Sequence, residues 1–368
     1  MQSLKVIISG GGTGGHIFPA IAIADAVKRK VPDAEILFVG AKGKMEMDRV
    51  PQAGYKIEGL WISGIQRNLT VKNLAFPLKL ISSMAKARSI VRMFKPDVAV
   101  GVGGYASGPL LRVASTKKIP SLIQEQNSFP GITNRLLAAK VNKVCVAYEG
   151  MDRWFSKDKI IMTGNPVREQ VVNLEGKRPE ACTFFGLKSD KPTLLVVGGS
   201  LGARTINQSI QKNLQLFKDA GYQLIWQTGK LYGETAYEAV KQLDYDGIKT
   251  FKFIDRMDLA YAIADVVVSR AGAMSVSEIC LAKKPAILIP SPNVAEDHQT
   301  KNARALVDKG AAILVADKDA ENVLGDEIKN LLNNKEKQAS LSENAGKMAL
   351  RNAAEKIADE VIKLARKN

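Results

Sequence analysis

The chain holds only two histidines, His16 and His298, and each stands at a predicted helix start just beyond a strand end. His16 closes the segment "GGGTGGH", residues 10–16, after the apolar run "KVIIS". An imidazole titrates near neutral pH, so it can take a proton from a hydroxyl with little preparation. The five glycines beside it let a backbone approach a ligand closely, and the N–H groups of a helix N-terminus attract an anion. Gly10, Gly12 and Gly15 also fit the G-x-G-x-x-G spacing of dinucleotide sites. Such sites need an acid at the end of the second strand to hold a ribose hydroxyl. The second strand, "EILFVG", ends in Gly40, Ala41 and Lys42, while Asp33 and Glu35 stand at its wrong end. An NAD-dependent oxidoreductase is thus a rival reading that lacks its second support.

Three further helix starts carry polar groups. In "GGSLGAR", residues 198–204, the Ser200 hydroxyl and the N–H groups that follow can cradle a diphosphate, with Arg204 just inside the helix. In "RAGAMSVSEI", residues 270–279, Ser275 and Glu278 fit a Ser-x-x-Glu capping box. The functional alternative has Glu278 accepting from two ribose hydroxyls. "AEDHQTKNA", residues 295–303, presents His298 and Gln299.

These loops need strands and helices to hold them. Strands are predicted at "KVIISG", "EILFVG", "YKIEGLW", "DVAVGVG", "PSLIQEQ", "KVCVAY" and "KIIMTG". After "GNPVREQVV" the pattern restarts with "PTLLVVGG", "YQLIWQTG", "IKTFKFI", "DVVVSRAG", "PAILIP" and "AAILVA". Short β-branched runs between helical segments predict parallel strands covered on both faces. One helix is predicted over Pro19–Lys30, with the proline near its start. The segment from Lys335 reads as helical throughout. The expected fold class is α/β, with two Rossmann-like doubly wound domains facing a cleft. The expected domains are residues 1–167, joined by a C-terminal helix at 349–368, and residues 168–348.

The net charge of +16 over 368 residues speaks of partners rather than fold. No acidic residue lies between Glu58 and Asp97, a stretch that holds Arg67, Lys72, Lys79, Lys86, Arg88, Arg92 and Lys95. Leu69, Leu74, Phe76, Leu78, Leu80, Ile81 and Met84 are interleaved with them. Basic and bulky apolar residues mixed in this way suit a surface lying on anionic lipid heads. The bland alternative is a core-facing helix with a solvated basic face. Nucleic acid is not expected, since no stacking aromatics or known reading module accompany the charge. Cys145, Cys182 and Cys280 are odd in number and lack metal spacing, which points to a reducing, cytoplasmic setting. No apolar run is long enough to span a bilayer.

Seven spaced segments resemble the MurG family of glycosyltransferases, in that family's order and over nearly the whole chain. They are "GGGTGGHIFPAIAIA", "GVGGYASGP", "QEQNSFPGITNRLL", "TGNPVR", "GGSLGARTIN", "FIDRMDLAYAIADVVVSRAGAMSVSEI" and "EDHQTKNA". The resemblance implies the GT-B architecture and transfer of N-acetylglucosamine from UDP-N-acetylglucosamine to lipid I, giving lipid II. It implies that Thr13, Gly14 and Gly15 lie by the donor sugar and acceptor diphosphate, and that Asn127 contacts the N-acetylglucosamine. Arg168 and Ser200 would hold the UDP phosphates, Ile254 the uracil, and Gln299 the sugar hydroxyls. Ala273, Met274, Ser275, Val276, Ser277 and Glu278 would line the UDP pocket, with Glu278 on the ribose. Gly103, Gly104, Tyr105 and Asn134 would serve the acceptor.

Many members of the family carry His-Glu-Gln-Asn where this chain has Gln124-Glu125-Gln126-Asn127, so Gln124 is expected to be a structural or hydrogen-bonding residue. His16 is the first candidate base and Glu125 the second. No cofactor or required metal is expected. The one Asp-x-Asp, Asp244-Tyr245-Asp246, sits in a polar loop and reads as a surface turn. A lipid acceptor implies a peripheral enzyme on the cytoplasmic face of the inner membrane. Another UDP-sugar enzyme of similar fold, an epimerase or a lipid glycosyltransferase, is the remaining rival, and "GNPVR" and "GVGGYASGP" favour this transferase over an epimerase.

Overall fold

Runs of Val, Ile and Leu short enough for strands and apolar on both faces pair in parallel and need helices on either side. The computed structural model describes residues 3–64, 76–167, 171, 173–199 and 201–366. The chain divides into two units, Met1–Val167 with Leu350–Asn368, and Arg168–Ala349.

In the first unit, β1 (Lys5–Ser9), β2 (Glu35–Ala41), β3 (Lys56–Leu60), β4 (Val98–Gly101), β5 (Ser121–Glu125), β6 (Lys143–Val146) and β7 (Ile160–Met162) form one sheet. Its order is β3-β2-β1-β4-β5-β6-β7, all parallel. Successive residues of β1 enter opposite layers, as the strand period of two requires. Val6 and Ile8 pack with Ile17, Ile23 and Val27 of helix Gly14–Lys30 and with Ile357 and Val361 of helix Ala353–Ala365. Ile7 packs on the other side with Ile90 of helix Phe76–Phe94 and Leu110 of helix Ser107–Thr116. Ion pairs Arg29–Glu355 at 2.6 Å and Lys30–Asp359 at 2.7 Å flank the contact between helices Gly14–Lys30 and Ala353–Ala365.

In the second unit, β8 (Thr193–Val197), β9 (Gln223–Gln227), β10 (Ile248–Phe251), β11 (Val266–Ser269), β12 (Ala286–Leu288) and β13 (Ile313–Leu314) form the order β10-β9-β8-β11-β12-β13. They too are parallel. Both sheets are therefore doubly wound and Rossmann-like, with the strand order reversing between β1 and β4 and between β8 and β11. The crevice beyond the strand ends at such a reversal is where this architecture binds ligands.

Three local expectations are corrected. The first helix starts at Gly14, not Pro19, and carries Pro19 inside it. Pro19 cannot donate to the Gly15 carbonyl, and Gly15 is exposed, so water can take the place of the lost bond. Ser275 and Glu278 form no capping box: helix Ala273–Ala282 has Gly272 at its N-cap and no side-chain cap bond. The C-terminal segment is two helices, Lys335–Lys347 and Ala353–Ala365, broken before Asn352, which adopts φ +57°.

Candidate functional site

In the first unit, the two loops at the strand-order reversal follow β1 and β4. The register sets Ser9 beside Gly101, and Ser107 Oγ donates to the carbonyls of both Ser9, at 2.9 Å, and Gly103, at 2.8 Å. The loops then touch. Gly103 and Gly104 have φ of +91° and +86°; a methyl group on Gly103 would lie 2.7 Å from His16 Cδ2, and one on Gly104 would lie 2.3 Å from the Gly11 carbonyl oxygen. Only glycine meets both the backbone and the space requirement at these two positions. The half-buried His16 imidazole therefore rests on the Gly103 backbone, and its Nδ1 lies 3.2 Å from Thr13 Oγ1. Thr13 and Gly15 are exposed, and the Gly14 and Gly15 N–H groups open the helix with no acceptor among the described residues. Tyr105 is half exposed, its ring over Gly64.

The segment after β5 is organised from within. Glu125 is buried, and its two oxygens share four N–H donors. Oε1 accepts from the Asn127 backbone at 3.0 Å and from Asn127 Nδ2 at 3.2 Å. Oε2 accepts from the Gly131 backbone at 3.1 Å and from Asn134 Nδ2 at 2.8 Å. Burial raises the Glu125 carboxyl above the usual carboxylate range, against the pull of those donors. A base needs a lone pair turned toward its substrate, whereas this carboxylate is turned into its own loop. In this structure the Glu125 carboxylate holds Asn127 and the buried Asn134 in place. Gln124 is also buried, donating to Asn165 Oδ1 at 2.9 Å and accepting from Gln126, as the expected hydrogen-bonding residue.

In the second unit, the loops after β8 and β11 wall a cavity of about 520 Å³. It brings together Gly198, Gly199, Arg204, Arg270, Ser275, Gln299 and Asp317. Gln299 Oε1 accepts from the Ser291 backbone at 2.8 Å, so its orientation is fixed and its amide nitrogen has no partner among the described residues. That nitrogen can donate to a hydroxyl. Arg270 Nη1 donates to the carbonyls of Ile289, at 3.1 Å, and Pro290, at 3.2 Å, and pairs with Asp317 Oδ1. Asp317 Oδ2 accepts from Thr205 Oγ1 at 3.0 Å. The helix that carries Gln299 begins after two successive left-handed residues, Glu296 at φ +55° and Asp297 at φ +52°.

Other predicted site residues lie outside that cavity wall. Ile254 is buried and its N–H donates to Gln227 Oε1 at 3.1 Å. Glu278 is buried and accepts from Tyr261 at 3.4 Å. Ala273, Met274, Val276 and Ser277 occupy the opening turns of helix Ala273–Ala282. Arg168 and Ser200 lie outside the described residues. Asp244 and Asp246 are exposed in a turn before β10. Sequence reasoning missed Glu46, Asp317 and Gln227. Each is a single polar residue with no motif around it, and only the folded chain brings it to a loop.

Residues 6–146 match the glycosyltransferase family 28 N-terminal domain, and residues 193–360 the glycosyltransferase family 28 C-terminal domain. A protein of Cytophaga hutchinsonii is 57% identical over 98% of this chain and 96% of its own length. One of Bacteroides fragilis is 56% identical over 100% of this chain and 97% of its own. Both are named UDP-N-acetylglucosamine–N-acetylmuramyl-(pentapeptide) pyrophosphoryl-undecaprenol N-acetylglucosamine transferase. Among solved structures, MurG of Acinetobacter baumannii matches with a TM-score of 0.81 at 28% identity, over 98% of this chain and 100% of that one. A calicheamicin glycosyltransferase reaches 0.72 at 12% identity, over 100% and 99% of the two chains, a likeness of fold alone.

Proposed function

The chain belongs to the MurG family within glycosyltransferase family 28, and on that premise we propose how its residues divide the work of transfer. It is a UDP-N-acetylglucosamine-dependent transferase that moves N-acetylglucosamine onto lipid I to give lipid II. The observation that carries the residue assignment is the cavity at the strand-order reversal of the second unit. Glycine-loop amides, Arg204 and the fixed Gln299 amide meet there.

The donor is an α-linked nucleotide sugar and the family's product is β-linked, so one in-line displacement suffices. The acceptor 4-hydroxyl oxygen forms a bond to the sugar C1 as the bond from C1 to the UDP oxygen breaks. The hydroxyl proton passes to His16, and UDP leaves with the charge. For His16 to accept at Nε2, Nδ1 carries the hydrogen and donates it to Thr13 Oγ1, a contact that orients the ring. Backbone N–H groups of the Gly198–Gly202 loop, Ser200, Arg204 and Arg168 carry the developing charge on UDP. Glu278 holds the ribose and the Ile254 backbone the uracil, with Ala273 to Ser277 between them. Gln299 and Asn127 hold the N-acetylglucosamine. Thr13, Gly14, Gly15, Gly103, Gly104 and Tyr105 face the acceptor.

A lipid-borne acceptor places the enzyme at the cytoplasmic face of the inner membrane. Helix Phe76–Phe94 supports this. It buries Ser83, Ala87, Ile90 and Val91 yet exposes Leu78, Leu80, Ile81 and Met93, with Arg88 and Arg92 among them. A merely solvated basic face has no reason to expose four large apolar side chains. Lys79 lies 5.8 Å from the ring of the exposed Trp61, while Lys86 is paired with Glu58 at 2.9 Å. Arg67, Lys72, Leu69 and Leu74 of the same basic stretch lie outside the described residues. Among the described residues no helix is long and apolar enough to cross a membrane.

Calorimetric titration with UDP-N-acetylglucosamine tests the donor site. Gln299→Ala is expected to weaken binding by about 1–2 kcal/mol, or roughly tenfold, while leaving the affinity for UDP alone unchanged. Equal binding of the sugar nucleotide by both proteins removes Gln299 from the site.

A further inference from the structure

Glu46 is the first residue of helix Glu46–Gln52, and it is completely buried although Lys44, Met45, Asp48 and Arg49 around it are exposed. Its carboxylate lies beneath the first glycine loop. Oε2 accepts from the Gly12 N–H at 2.9 Å and Oε1 from the Ala41 N–H at 2.9 Å. No cation lies within ion-pair distance of it among the described residues. A buried charge held only by main-chain donors is costly to keep, and its partners are the glycine-loop backbone at Gly12 and the last residue of β2, Ala41. The surroundings are shaped to admit it: a methyl group on Gly11 would lie 2.2 Å from Oε1, and one on Gly40 would lie 2.5 Å from Glu46 Cγ.

The contacts run on from there to the imidazole. Gly12 precedes Thr13, whose carbonyl accepts from the backbone of His16 at 3.1 Å and of Ile17 at 3.2 Å, and whose hydroxyl meets His16 Nδ1. Gly11, on the other side, meets Gly104 through its carbonyl, and Gly103 supports the His16 ring. Residues 11–13 are thus fastened from below by one carboxylate, and the imidazole is held from both directions by what those residues touch.

We propose that Glu46 is a positioning residue for His16. It turns the Gly12 N–H inward and fixes the loop on which Thr13 and His16 depend. A dinucleotide-binding loop aims such N–H groups at a pyrophosphate. Here the Gly12 N–H is committed inside to the Glu46 carboxylate, which leaves the Gly14 and Gly15 N–H groups to face outward.

This inference rests on the reading of His16 as the base, and the test separates the two. Glu46→Gln keeps the shape but sets an amide NH₂ against a backbone N–H, so one of the two contacts must break. Gly11→Ala keeps the charge and displaces the carboxylate sterically. Each variant is measured for UDP release with a lipid I analogue and for UDP-N-acetylglucosamine affinity by calorimetry, alone and combined with His16→Ala. The expected result is a loss of kcat of about tenfold to a hundredfold in each single variant, with donor affinity unchanged. On a His16→Ala background, Glu46→Gln should cost nothing more. Wild-type kcat in Glu46→Gln and Gly11→Ala, beside a slow His16→Ala, overturns the role of Glu46 alone. A further loss on the His16→Ala background, or a parallel loss of donor affinity, also overturns it. Wild-type kcat in His16→Ala overturns both readings. If Glu46→Gln fails to fold, Gly11→Ala gives the same readout with the native carboxylate present.

Discussion

At the scale of residues, the proposed reaction turns on the imidazole of His16, whose Nδ1 lies 3.2 Å from the Thr13 hydroxyl. His16→Ala is expected to lower kcat by about 10²–10⁴, the usual contribution of a general base, without changing donor affinity. Thr13→Val removes the ring-orienting contact and should produce a smaller loss of the same kind. Steady-state kinetics with a lipid I analogue, beside calorimetry with the donor, measures both; a His16→Ala enzyme with normal turnover contradicts the assignment. The position of His16 beyond a strand end was legible in the sequence because glycines and a preceding apolar run mark the end of a strand. Glu125 stood second to His16 there, and nothing in "QEQN" reveals that four N–H groups occupy its oxygens. Glu46 was invisible for a related reason. The acid that the second strand seemed to lack stands beyond its end and folds back underneath the loop.

At the scale of elements, all thirteen strands of the described residues were legible as short continuous apolar runs between helical segments. Helix ends were less so. Pro19 suggested a start because proline favours first turns, yet the helix begins at Gly14 and tolerates Pro19 beside an exposed Gly15. Ser275 and Glu278 have the capping spacing, but Gly272 takes the N-cap and moves both inside the helix. The link between Arg270 and Asp317 joins two elements that sequence spacing does not relate. Arg270 ties β11 to the carbonyls after β12, and Asp317 ties Arg270 to Thr205 on the helix after the second glycine loop. Both side chains are mostly buried, at 15% and 18% exposure, so losing one leaves the other poorly compensated. Asp317→Ala is expected to destabilise by roughly 2 kcal/mol, less than for a fully buried pair because Arg270 keeps two carbonyls. It should also raise the donor KM more than it lowers kcat. Thermal melts and kinetics check this, and an unchanged KM would detach Asp317 from the donor site.

At the scale of the whole molecule, the doubly wound order of both sheets follows from parallel strands alternating with helices, and the pattern restart after "GNPVREQVV" made two such units legible. The charge of +16 was legible as a total, and the proposed membrane contact rests on the apolar groups that helix Phe76–Phe94 exposes. Burying one Leu or Ile side chain gains about 1.5–3 kcal/mol, so Leu78→Ser with Ile81→Ser should weaken binding to phosphatidylglycerol vesicles by at least about a hundredfold. Undiminished sedimentation with such vesicles would leave those side chains without a membrane role. The central claim is a single inverting displacement by a lipid-borne hydroxyl. It is tested most directly by following UDP release from UDP-N-acetylglucosamine with and without a lipid I analogue and reading the new linkage by NMR. The account predicts UDP release that depends on the analogue and a β-linked disaccharide product. UDP release with no transfer, or an α-linked product, would contradict it.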